Sequence, residues 1–210
     1  MKLKLFGFLG IIVIVFFNNC IPNLGPQFVT INTISNLAVD SPIGLNGNNA
    51  VLSHGRLFYS FETASQISAV DSNSTKWDIR LQFNNNNYPI INFNGGSSGP
   101  GNAGAYLLTG ILDTLLYASN NSIILDSLAK PVVAYSPQNV SLIPGWFNYD
   151  QINNFIYPVP NRFLVIRTAN RRWVKLEVIS FYKNSNSTTQ LNLGFISFRY
   201  TYQPNGTPVF

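Results

Sequence analysis

Histidine, methionine and cysteine are almost absent from these 210 residues: each occurs once, as His54, Met1 and Cys20. A zinc or non-haem iron centre draws several ligands from His, Cys and carboxylates, and this chain cannot assemble the usual sets. A Ser–His–Asp triad would have to use His54, whose neighbour Ser53 is no partner by adjacency, and no nucleophile-elbow motif occurs. His54 therefore reads as a loop or surface residue. One cysteine closes no disulfide within the chain. Charge is also scarce, at 10% of residues. The only dense basic cluster is Arg167, Arg171, Arg172 and Lys175, so nucleic-acid binding is not expected. Among the acids, Glu62, Asp113, Asp126, Asp150 and Glu177 show no spacing that favours a glycosidase pair. The glycine-rich run Asn94–Gly104 lacks the lysine and following helix of a phosphate-binding loop and reads as a turned connection. No repeat of 20 to 50 residues recurs. Catalysis finds little material in this chain.

The one long apolar run is at the start. Lys2 and Lys4 precede an uninterrupted stretch from Leu5 to Phe17, about right for an export signal and short of the roughly 20 residues of a spanning helix. Cys20 follows directly, where a lipid-acceptor cysteine would stand, which makes residues 1–19 a lipoprotein signal peptide and Cys20 the mature N-terminus. Phe17-Asn18-Asn19 departs from the small residues usual before such a cysteine and is similar to the looser spirochaete pattern. An ordinary signal peptide, or a retained anchor with unmodified Cys20, are the other readings. Loss of the leader leaves 11 basic residues against 8 acidic ones, a mildly basic chain.

What is abundant is aromatic and amide. Aromatic residues make up 14% of the chain, so solvation falls largely to Asn, Ser, Thr and Gln, which populate turns. Residues 20–52, punctuated by Pro22, Pro26, Pro42, Gly25, Gly44 and Gly47, read as a tether with room for one strand. Beyond them, residues 53–210 form the domain. Leu57–Phe61, Lys76–Phe83, Tyr88–Phe93, Phe163–Thr168, Trp173–Tyr182 and Leu193–Tyr202 have period-two or short apolar runs rich in β-branched and aromatic residues, which predicts strands. The first Asn run, Asn84 to Asn87, reads as a hairpin loop. Phe163–Thr168 and Trp173–Tyr182 should pair antiparallel near the centre of the sheet, with Trp173, Lys175, Glu177 and Ile179 on one face. In Tyr106–Leu128 the apolar spacing suits a short helix, but Gly110, Asn120 and Asn121 interrupt it, and strand–loop–strand with at most a helical turn is expected. The class is all-β: a single antiparallel domain after a signal peptide and a short tether.

Trp146, Phe147, Tyr149, Phe155 and Tyr157 crowd into Pro144–Pro158, a loop-like stretch that either wraps a flat ligand or caps the sheet core.

Several segments together resemble the HmuY family of bacterial haem-binding lipoproteins. They are Leu57–Thr63, Lys76–Arg80, Asn94-Gly95-Gly96 followed by Gly104-Ala105-Tyr106, Gly145–Tyr149 with Pro158, Val165–Ala169, Lys175–Tyr182 and Ser197–Pro204, in the family's order. KLEVISFY and FRYTYQP are the most specific of them. The resemblance implies a single-domain, all-β haemophore attached to the outer membrane through Cys20, a binding protein rather than an enzyme. It would take haem from host haem proteins and pass it to a TonB-dependent receptor. Family members usually hold the iron through two axial side chains, His or Met, and many place a His between the Trp-x-x-Tyr motif and the following Pro. Here that place falls at about Asn154, and amides are poor axial ligands beside imidazole or thioether. His54 precedes the matched region. Tyr149, Tyr157 and Tyr135 are the phenolate candidates, and Tyr135, Trp146, Tyr149, Asn154 and Tyr157 make up the expected pocket. The alternative is a surface interaction lipoprotein that keeps the fold without haem.

Overall fold

A computed structural model describes residues 29, 31–39, 55–84, 87–127, 145–150, 152–189 and 192–210. Cys20, Ser53, His54, Tyr135 and the leader lie outside the described residues. Eleven strands account for nearly all the regular structure: β1 (Ile31–Ala38), β2 (Arg56–Ser60), β3 (Ser65–Ile67), β4 (Ile79–Phe83), β5 (Pro89–Phe93), β6 (Gly104–Thr109), β7 (Phe147–Asp150), β8 (Phe155–Pro158), β9 (Arg162–Arg167), β10 (Trp173–Tyr182) and β11 (Leu193–Gln203). The only helical elements among the described residues are single 3₁₀ turns. The fold is all-β and every strand pair is antiparallel.

Period-two patterning explains how the strands stack. The larger sheet has the order β1-β11-β10-β9-β6 and the smaller one β3-β2-β4-β5. Alternate residues of the smaller sheet, Leu57, Tyr59, Ile79, Leu81, Ile91 and Phe93, meet Leu164, Ile166, Val174, Leu176, Phe198 and Tyr200 of the larger in one core. Tyr59 packs edge-on to Phe198, ring centroids 5.5 Å apart. The larger sheet is covered on its other face too. Tyr106, Phe163, Val165 and Trp173 pack there beneath Leu112, Leu115 and the C-terminal Phe210. Lys175 is buried on that face, its Nζ donating to Leu115 O at 2.9 Å and lying 5.1 Å from the Phe210 ring centroid.

β9 and β10 pair antiparallel as expected, and β10 is the central strand of its sheet. The alternation of Trp173, Lys175 and Glu177 with Val174, Leu176 and Val178 holds until a register shift between Val178 and Ser180. Beyond that shift Ile179 is exposed, while Phe181 and Tyr182 turn into the core. Ile31–Ala38, an eight-residue edge strand on β11, is the one strand for which residues 20–52 had room. Two segments differ from expectation. Among the described residues of Tyr106–Leu128 no second strand follows β6, only two 3₁₀ turns and isolated bridges from Ile124 to Ala105 and from Tyr117 to Val209. The stretch Pro144–Pro158 is not a loop over its described part: Phe147–Asp150 and Phe155–Pro158 form a two-stranded hairpin. Each of its strands has four residues, too few for a periodic signal.

The Asn94–Gly104 connection is tightly turned. Asn94 is fully buried, its Nδ2 donates to Ser74 O (2.8 Å) and Trp77 O (2.7 Å), and its Oδ1 accepts from Gly101 N (3.1 Å). A Cβ on Gly95 would stand 2.1 Å from Ala103 O.

Candidate functional site

The β7–β8 hairpin is built outward from the core. Trp146 is 4% exposed and meets Phe181 edge-on at 5.4 Å, and Phe147, fully buried, lies 6.2 Å from Phe181. Tyr88 carries the ring contacts on, 5.9 Å from Phe147 and 5.5 Å from Tyr149. The Ile156 N–H donates to Tyr182 Oη at 3.0 Å, and Phe155 packs edge-on to the Tyr182 ring. Burial pushes the Tyr182 phenol up to about 12, so it stays protonated and serves as a strut. Tyr88 and Tyr182 position the hairpin. Tyr182 stood in the sequence as a strand residue, and nothing local marked its phenol as the hairpin's support.

At the tip, Asp150 accepts hydrogen bonds from Ile152 N (2.9 Å), Asn153 N (3.2 Å) and Asn153 Nδ2 (2.7 Å), and these hold its carboxyl below the usual range. Asn154 closes the turn at φ 56°, a left-handed conformation that asparagine adopts readily. Its Oδ1 accepts from Tyr149 Oη at 2.6 Å. The structure thus joins two of the expected site residues, Tyr149 and Asn154, in one short hydrogen bond.

Tyr157 belongs elsewhere. In the hairpin register Tyr149 faces Ile156, whereas Tyr157 faces Asn148, so the two phenols leave opposite faces of the ribbon and do not converge on one atom. Tyr157 is 39% exposed. Trp146 fits the capping reading: its ring is a core residue that locks the hairpin base. Tyr135 lies outside the described residues.

The donor chemistry supports one axial bond to haem iron and no matched second one. No His or Met occurs among the described residues, and no group of three or more His, Cys, Asp and Glu there could hold a metal ion. Tyr149 is an acceptable ligand type with an amide on its oxygen. A small cleft bordered by Trp146, Pro158, Arg162 and Leu176 lies at the hairpin base, with room for about one water molecule. Sites that enclose an organic ligand hold roughly 300–1,000 Å³, so a macrocycle would lie against the hairpin rather than inside this cleft.

No family model and no curated protein matches the chain. Two solved structures are similar to it at low identity. One, a Bacteroides vulgatus protein provisionally named as HmuY-like and haem-binding, is 13% identical, with 81% of this chain and 90% of that chain covered and a TM-score of 0.45. The other, a Bacteroides fragilis protein provisionally named a lipoprotein, is 15% identical over 81% and 88%, with a TM-score of 0.39. At these scores neither likeness speaks to ligand or partner.

Proposed function

We propose that this chain is an exported lipoprotein, anchored to the outer membrane through Cys20, that carries haem or a related porphyrin at the β7–β8 hairpin and is not an enzyme. The observation that carries the reading is the Tyr149–Asn154 pair, placed where the HmuY resemblance puts the ligand loop and mounted on a ring-packed base. Bound haem would supply a ferric centre that accepts one phenolate oxygen. Tyr149 would hold that group through Oη, its proton passing to solvent, and the Asn154 amide, turned to present Nδ2 in place of the Oδ1 that now accepts from Tyr149 Oη, would donate to the phenolate. Host haem proteins as source and a TonB-dependent receptor as recipient belong to this proposal through the resemblance.

Hemin titration tests it. A phenolate-type ferric spectrum should form with the unmodified protein and with Tyr157→Phe, weaken on reduction of the iron, and be lost in Tyr149→Phe. Loss in Tyr135→Phe instead would move the ligand to that residue. A tight low-spin spectrum of the bis-nitrogen or sulfur type would contradict the ligand argument. The second reading, contact with another protein through the same hairpin, is favoured by Ile152, 91% exposed at the tip. Absence of any Soret shift in either oxidation state would put it first.

A further inference from the structure

Strand β10 spans ten residues, roughly 33 Å from Trp173 to Tyr182. The hairpin is attached at the Tyr182 end. The N-terminal segment joins toward the other end: Ile31, the first residue of β1, lies opposite Thr201, which lies opposite Lys175. Eleven residue steps lead back from Ile31 to Cys20, a reach of at most about 40 Å along any path. A tether of that reach does not by itself choose between the two ends but lets the Trp173 end, where Ile31 stands, meet the bilayer.

That end has a surface of matching chemistry. Leu116, Tyr117, Ile124, Leu125 and Val209 are between 42% and 67% exposed. They belong together: Tyr117 bridges Val209, Phe210 N donates to Leu116 O, and Ile124 bridges Ala105 beside Gly104, the partner of Arg167. Three arginines, Arg167, Arg171 and Arg172, stand in and beside the β9–β10 turn at the same end. Among the described residues none of them is within ion-pair distance of a carboxylate. The hydrogen bonds of Arg167 and Arg171 go to Asn102. The acids beside this turn are Glu62, which accepts from Asn170, and the buried Asp78, which accepts from Ala169 N.

From these positions we infer that the Trp173 end is a membrane-resting face. Its apolar side chains sit at headgroup depth and its arginines lie on anionic lipid phosphates, so the hairpin is held away from the bilayer. Acyl chains at Cys20 fix the domain to the surface but do not orient it; apolar contact together with Arg–phosphate attraction does. The inference rests on the lipidated Cys20 of the proposed function.

The test uses the full chain, extracted from membranes with its lipid and reconstituted into vesicles of phosphatidylglycerol and phosphatidylcholine that contain headgroup-spin-labelled lipid. A thiol-reactive fluorophore is placed at Tyr117→Cys or at Ile152→Cys. The label at 117 should be quenched several-fold and the label at 152 hardly at all. Arg171→Glu with Arg172→Glu should relieve the quenching at 117. Equal quenching at both positions, or quenching at 152 alone, overturns the orientation. The acyl mass on Cys20 is read from the same sample. Its absence overturns the anchor and the inference with it, whereas its presence with the wrong quenching pattern overturns the orientation alone.

Discussion

Asp78 offers a measurement in which two opposing effects can be weighed. The side chain is 4% exposed, between the two sheets, and accepts Phe61 N at Oδ2 (2.8 Å) and Ala169 N at Oδ1 (3.0 Å). It thereby fastens the end of β2 to the β9–β10 turn. The two N–H donors favour the carboxylate; burial and the nearby Glu62 charge oppose it. Burial wins, and the carboxyl is pushed from its ordinary 3.8 up to about 6. A change of that size corresponds to roughly 3 kcal/mol between the two protonation states. Because the folded value is the higher one, the fold retains a proton that the unfolded chain has released. The associated stability is complete below about pH 4 and is lost as the pH rises through about 6. Asp78→Asn removes the titration and sets its NH₂ against one of the two backbone donors, a loss of about 1–3 kcal/mol. In urea unfolding followed by the fluorescence of neighbouring Trp77, the parent chain should exceed Asp78→Asn in stability at pH 4.5. The gap should close or reverse by pH 7.5. Asp78→Ala leaves two buried donors without an acceptor and should cost about 2–5 kcal/mol at acid pH. A gap that widens with pH would show that the hydrogen bonds outweigh burial, and would refute the reasoning.

Trp146→Ala empties the hairpin base and should cost about 3–5 kcal/mol in chemical unfolding; a loss under about 1 kcal/mol would make the ring peripheral. Gly95→Ala forces a methyl onto Ala103 O and should lower stability by about 1–3 kcal/mol, read as a fall in Tm. Cys20→Ser should release the chain from membranes as a soluble exported protein, with mass spectrometry of the parent finding acyl mass on Cys20. Asn154→Ala should reduce hemin affinity roughly ten- to hundredfold with the Tyr149-dependent spectrum retained, since a charge-assisted hydrogen bond is worth about 1.5–3 kcal/mol; an unchanged affinity would remove Asn154 from the site.

The strands that were legible in the sequence are those in which one or both faces had to be buried. Leu57–Phe61 and Tyr88–Phe93 carried short apolar or alternating runs, and Trp173–Tyr182 announced two buried faces by placing Trp173 against one cover and Val174 and Leu176 against the other. The hairpin was hidden because its strands are short and its aromatic residues have divided duties. Trp146 and Phe147 fill the core, while Tyr149 leans on Tyr88 across the sheets. β1 was obscured by flanking prolines and glycines and by the half-polar composition of an edge strand. Asp78 and Ala169 are 91 residues apart, and no local pattern marks a contact of that range. Tyr149 and Asn154 were both readable as candidates, but their hydrogen bond depends on the left-handed turn at Asn154.

The last strand of the chain is not at the rim of its sheet. β11 lies between β1 and β10, and Asn36 N reaches Ser197 Oγ across 161 positions. During synthesis β1 therefore waits, without a neighbour, until almost the whole polypeptide has been made, and loop closure on that scale is slow. The smaller sheet draws only on residues 56–93 and can close early, whereas the larger sheet keeps its edge strand unpaired until residues 193–203 arrive and act as a latch.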